Sequence, residues 1–107
     1  MKPLVQNLFA QTSSFKGEEE VNLLLVGQSF SLESIHSYGQ PSPEGFWYNQ
    51  PRDEWVLLAR GTARIEFELE GMMDLKTGDY LLIPAHCRHR VPSVSSDAVW
   101  LALHSDV

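Results

Sequence analysis

A chain of 107 residues with 43% hydrophobic and 21% charged side chains fits one folded domain and not a disordered, collagen-like or low-complexity class. Fourteen acidic residues against eight basic ones leave a formal charge of -6, which offers no electrostatic footprint for nucleic acid or an anionic membrane surface. The single cysteine, Cys87, excludes an intrachain disulfide, and no apolar run approaches the roughly 20 residues of a membrane helix. Met1–Ala10 is a poor signal peptide because Gln6 and Asn7 interrupt its apolar residues, so the cytoplasm is the expected location.

Residues 1–20 carry little pattern. Leu4, Val5, Leu8 and Phe9 make a weak apolar stripe with spacings of three and four, and Glu18-Glu19-Glu20 is an acidic run; a helical turn or an N-terminal arm is expected here. From residue 21 the pattern is β. Val21–Val26 is a continuous apolar run ended by Gly27, and Phe30, Leu32 and Ile35 continue with near-alternation. Residues 39–45, with two prolines and two glycines, form a loop. Phe46–Asn49 reads as a short aromatic strand, Gln50–Asp53 as a turn and Trp55–Ala59 as an apolar strand. Ala63, Ile65, Phe67 and Leu69 alternate with Arg64, Glu66, Glu68 and Glu70, which predicts a half-buried antiparallel strand with a charged outer face. Met72–Leu75, Tyr80–Ile83, Arg88–Val91 and Val99–Leu103 complete a set of about eight to ten short strands, and no helical period follows residue 20. The expected fold class is all-β, a sandwich or barrel over residues 21–107.

Two stretches are more specific. Glu54-Trp-Val-Leu-Leu-Ala-Arg-Gly61 places six residues between a Glu and a Gly, and Gly78-Asp-Tyr-Leu-Leu-Ile-Pro84-Ala-His86-Cys-Arg-His89 places five residues between a Gly and a Pro, with a His five positions after the Pro. Together they resemble the two motifs of the cupin superfamily, and the resemblance covers residues 21–104. It implies a small jelly-roll barrel (the cupin double-stranded β-helix), often with a divalent metal inside, and a homodimer in which the N-terminal segment packs across the partner. Carried over residue by residue, Glu54 and His89 match two of the family's ligands. The His-x-His pair of the first motif is absent: its place falls on Trp47 and Asn49 with four intervening residues, or on Tyr48 and Gln50 with three. The second motif's Gly is replaced by His86 and its Asn by Ser93.

A Glu and a His alone hold a metal poorly, so a third ligand is required, and His86 and Asn49 are the candidates. Glu54, His86 and His89 would make a two-His-one-carboxylate set suited to Fe(II), Mn(II), Ni(II) or Zn(II). The resemblance then implies oxygenase, isomerase or decarboxylase-like chemistry on a small polar molecule, with Glu54 as ligand or base and Tyr48 donating a proton or orienting the substrate. The alternative is a non-catalytic module that binds or senses a small molecule without metal, which the missing His-x-His favours. His36 and His104 are expected on outer strand positions. Arg88 and Arg90 are expected to point outward on either side of His89. No nucleophile elbow, phosphate loop or zinc-finger spacing is present.

Overall fold

The computed structural model describes residues 2–10 and 19–106. Eight strands run in chain order: β1 (Glu20–Val26), β2 (Phe30–His36), β3 (Asp53–Arg60), β4 (Thr62–Phe67), β5 (Gly71–Lys76), β6 (Tyr80–Ile83), β7 (His89–Val94) and β8 (Val99–Ser105). They form a five-stranded antiparallel sheet in the order β1-β2-β8-β3-β6 and a three-stranded sheet in the order β5-β4-β7. The pairing of β2 with the last strand, β8, wraps the chain in jelly-roll fashion. No helix of the described residues is long and apolar enough to cross a membrane.

One core joins the sheets. Val56 and Leu58 of β3, Trp100 and Ala102 of β8 and Ile83 of β6 pack with Ala63, Ile65 and Phe67 of β4 and Leu75 of β5. Alternation explains which residues enter it: on β4 the buried residues Ala63, Ile65 and Phe67 interleave with Arg64 and Glu66 on the outer face. Those outer charges pair across strands, Arg64 with Asp74 at 2.7 Å and Arg90 with Glu66 at 2.6 Å. Leu58 is fully buried, a burial that stabilises by roughly 1.5–3 kcal/mol for a side chain of this kind.

Two local expectations are corrected. The β4 alternation ends at Phe67, because Phe67 pairs with Gly71 across a three-residue turn. Gly71 closes that turn at φ +86°, and Leu69 at its tip is 88% exposed. Phe46–Asn49 is not a strand. Only Tyr48 pairs, in an isolated bridge with His89, because Pro43 and Pro51 flank the segment without N–H donors. The apolar stripe before residue 10 makes a turn, with Ala10 N donating to the Asn7 carbonyl and the Phe9 ring 4.1 Å from the Arg60 guanidinium. Residues 11–18, including Glu18 of the acidic run, lie outside the described residues.

Gly61 turns β3 into β4 at φ +92°, a left-handed conformation that favours glycine. A Cβ there would collide with Ser95 Oγ and lie 2.9 Å from Ala98 Cα. The edge strand β1 stays uncovered in the single chain, with Val21, Leu23, Leu25 and Val26 more than half exposed.

Candidate functional site

The inward faces of the strands converge on one cavity of about 200 Å³ at the end of the core. On β3, burial alternates through Glu54, Val56 and Leu58, so Glu54 shares a face with two core residues. On β8 the same holds for Trp100, Ala102 and His104. The register sets Glu54 directly opposite His104. On β2, Ser31, Glu33 and Ile35 lie opposite His104, Ala102 and Trp100, which brings Glu33 and Ile35 to the cavity. From the other sheet β7 contributes His89 and Val91, and β4 contributes Ile65.

Glu54 is the centre of a polar network. Gln50 Nε2 donates to its Oε1 at 3.3 Å. His89 Nε2 stands 3.7 Å from Oε1, and His104 Nε2 stands 3.6 Å from Oε2. His104 Nε2 also lies 3.1 Å from Glu33 Oε1, a contact in which the ring N–H donates to the carboxylate. His89 Nδ1 donates to the Cys87 carbonyl at 2.8 Å. That bond makes Nδ1 the donor, so the neutral form of the ring has Nε2 as its acceptor. Two acceptors, His89 Nε2 and Glu54 Oε1, then face one another. The arrangement is favourable when a positive charge or a proton lies between them, on the imidazole or on the carboxyl.

Burial raises the Glu54 carboxyl above its usual range, Glu33 adds to the rise, and His104, His89 and the Gln50 hydrogen bond only partly offset it. Tyr48 lines the cavity and stacks on His89 with ring centroids 5.4 Å apart, while the Phe67 ring lies 6.0 Å away at a tilt. Two backbone hydrogen bonds tie Tyr48 to His89, Tyr48 N to the His89 carbonyl at 2.7 Å and His89 N to the Tyr48 carbonyl at 3.1 Å. The imidazole plane is thereby held by packing and by its own backbone. Burial, with the charges of Glu19 and Glu54, raises the Tyr48 phenol, while a hydrogen bond with Ser42 lowers it, so at neutral pH the group is a proton donor.

Glu54, His89 and Tyr48 are brought together at the cavity. His86 and Asn49 are not. His86 Nδ1 meets Asn49 Oδ1 at 3.1 Å in an exposed pair, and neither residue lines the cavity. The reason is the turn after Pro84. His86 takes the left-handed conformation, φ +63°, that the family motif reserves for glycine, and its N–H donates to the Gln50 carbonyl at 2.7 Å. This directs the imidazole away from the barrel. Of the two placements for the missing His-x-His pair, the one on Tyr48 and Gln50 faces the cavity. Trp47 lies outside, with the Arg90 guanidinium 4.7 Å from its ring. His104 also corrects an expectation, since it is 8% exposed and inward-facing. The sequence signal for it was the spacing from Trp100, two strand repeats away on the same face. His36 is on the opposite face of the sheet, beside Ser34 and the turn at Gln6–Ala10.

A divalent metal, implied by the resemblance, does not fit the donors as arranged. His104 commits Nε2 to Glu33, which leaves Glu54 and His89 as the two groups free to ligate. Among the described residues no group of three His, Cys, Asp or Glu side chains is arranged to hold a metal ion.

Fold and site together define an antiparallel jelly-roll barrel with a carboxylate–imidazole centre in its interior. The structure is similar to that of a protein from Ralstonia eutropha JMP134, provisionally named a mannose-6-phosphate isomerase, with 42% identity over 98% of this chain and 100% of that one and a TM-score of 0.90. It is similar in fold to an RmlC-like cupin from Desulfovibrio desulfuricans, with a TM-score of 0.77 at 15% identity over 98% of both chains. A cupin superfamily protein from Desulfitobacterium hafniense DCB-2 gives 0.74 at 18% identity over 89% of this chain and 84% of that one. The chain has the cupin fold. No family model and no curated protein matches its sequence.

Proposed function

We propose that the chain is a small isomerase that takes a polar molecule into its barrel and moves a proton between adjacent carbons, with Glu54 as the acid–base group. The observation that carries this reading is the buried Glu54 carboxyl at the cavity with His89 Nε2 at 3.7 Å and His104 Nε2 at 3.6 Å, a carboxylate between two imidazoles. A carboxyl raised by burial is a stronger base when ionised and a usable acid when protonated, which suits proton transfer in both directions. In this reading Glu54 removes a proton from the carbon beside a carbonyl. The Tyr48 phenol, protonated at neutral pH and on the cavity wall, is the donor for the oxygen on which charge develops. Glu54 then returns the proton to the former carbonyl carbon, and the hydroxyl proton on the first carbon passes to the former carbonyl oxygen, so that carbonyl and hydroxyl exchange places. Tyr48 orients the substrate from the wall. The provisional name of the Ralstonia eutropha relative, an aldose–ketose isomerase, supports the same reaction type.

The metal-dependent form of this reading needs a third ligand that the cavity does not present, so no step here runs through a metal. A homodimer would find an apolar surface on β1. The test is deuterium incorporation from D2O into mannose and fructose, followed by NMR. Exchange at the carbon next to the carbonyl is expected in the wild type, unchanged after chelator treatment and reduced at least about 100-fold by Glu54→Gln, the scale of losing a general base. Exchange that survives Glu54→Gln, or no exchange in wild type, refutes the isomerase and leaves a binding module.

A further inference from the structure

We propose that the cavity takes a small organic cation, a protonated amine on an apolar body, and excludes phosphorylated ligands. The inference rests on the cavity being the ligand site, as in the reading above, and not on turnover. Three carboxylates line the cavity, those of Glu19, Glu33 and Glu54, and among the described residues no Lys or Arg does. The nearby cations are engaged elsewhere: Arg88 and Arg90 pair with Glu68 and Glu66 on the outer face, and Arg52 bonds Ser31 Oγ at 2.9 Å and pairs with Asp106.

Two buried acceptors are open to an incoming donor. The Glu54 side chain is 10% exposed, and His104 Nε2, 3.6 Å from its Oε2, bonds Glu33 instead. The His89 side chain is 7% exposed, and its Nε2 is 3.7 Å from Glu54, beyond hydrogen-bond length. An ammonium group carries three donors and no acceptor, which matches a carboxylate oxygen and an imidazole nitrogen at that spacing. Its charge also offsets the unbalanced carboxylates. Val56, Ile65, Ile83 and Val91 offer an apolar wall for the rest of the molecule, and the rings of Tyr48 and Trp100 add aromatic surface that favours a cation. A phosphate dianion would instead meet carboxylates without a guanidinium or ammonium to hold it.

The test uses untagged full-length protein and three matched probes: n-butylammonium, n-butanol and n-butyl phosphate. The ring signals of His89 and His104 are followed by NMR. Butylammonium is expected to shift both signals and to bind at least ten-fold more tightly than butyl phosphate. Glu33→Gln should weaken the amine at least three-fold while leaving butanol unchanged; Glu19→Gln serves the same purpose should the first variant not fold. Butyl phosphate binding as tightly as the amine, or an amine that leaves both ring signals unmoved, overturns the proposal. Because only binding is read, a failed exchange experiment above leaves this result standing, and a failure here leaves the proton-transfer reading standing.

Discussion

Replacing His86 by glycine distinguishes a turn residue from a ligand. His86 sits at φ +63°, where an L-residue costs about 1–2 kcal/mol relative to right-handed backbone. Glycine removes that cost but adds about 0.5–1 kcal/mol of chain entropy in the unfolded state. The exposed contact between His86 Nδ1 and Asn49 Oδ1 at 3.1 Å is also lost, worth about 0.5–1 kcal/mol net. The backbone bond from His86 N to the Gln50 carbonyl persists in any variant. The terms nearly cancel, so His86→Gly is expected within about 1 kcal/mol of wild type. His86→Ala keeps the strained backbone and loses the side-chain contact. It should be less stable by about 0.5–1.5 kcal/mol, a fall of about 2–10 °C in Tm for a domain near this size. Urea and thermal melts followed by circular dichroism give the order, and butylammonium titration of the same samples gives the cavity affinity, expected to be unchanged in both. An alanine variant more stable than the glycine variant, or a loss of cavity affinity in either, would refute the assignment of His86 to the turn.

Glu54→Gln should stabilise the protein at pH 8 and have little effect at pH 4. The folded-state pKa of Glu54 lies above its unfolded value of 4.5, so the native state holds the proton more tightly and stability falls as pH rises from that value through the folded pKa. Removing the ionisable group removes that fall, and a stability difference that does not change with pH would contradict the burial argument. Gly61→Ala should destabilise by about 2–4 kcal/mol, adding left-handed strain to overpacking at a close approach. Ser95→Ala in the same chain should recover only part of this, because the second close contact, 2.9 Å to Ala98 Cα, is backbone. Full recovery would place the whole cost on the Ser95 hydroxyl.

The barrel was legible because strand alternation depends on which side chains are apolar, and that is written locally. Ala63, Ile65 and Phe67 against Arg64 and Glu66 announce both the strand and its buried face. Turns were legible through Gly61, Gly71 and Gly78, all at positive φ. The site was only partly legible. Glu54 and His89 follow from motif spacing, but His104 sits at the end of the apolar run Val99–Leu103, where continuous hydrophobicity hides the period of two. Its inward direction is settled by pairing with Glu54 on β3, a contact 50 residues away in the chain. Glu33 is a similar case: it belongs to the cavity because β2 pairs with β8. Long-range register, unlike alternation, has no local signature.

The substitutions at the first motif change what the centre is built to do. An imidazole pair there would add two lone pairs aimed at a cation. Tyr48 supplies a phenol kept protonated by burial and by the neighbouring carboxylates, and Gln50 supplies an amide N–H that donates to Glu54. Both changes exchange acceptors for donors around the carboxylate. A ring of donors stabilises negative charge on Glu54 or on a substrate oxygen, while the pairing of His104 with Glu33 withdraws a further nitrogen from ligation. The remaining open acceptors, His89 Nε2 and Glu54 Oε2, await a proton or an N–H donor. The proton-transfer reading and the preference for an amine therefore draw on one donor–acceptor balance. Restoring histidine at both Tyr48 and Gln50 should shift that balance back toward metal ligation.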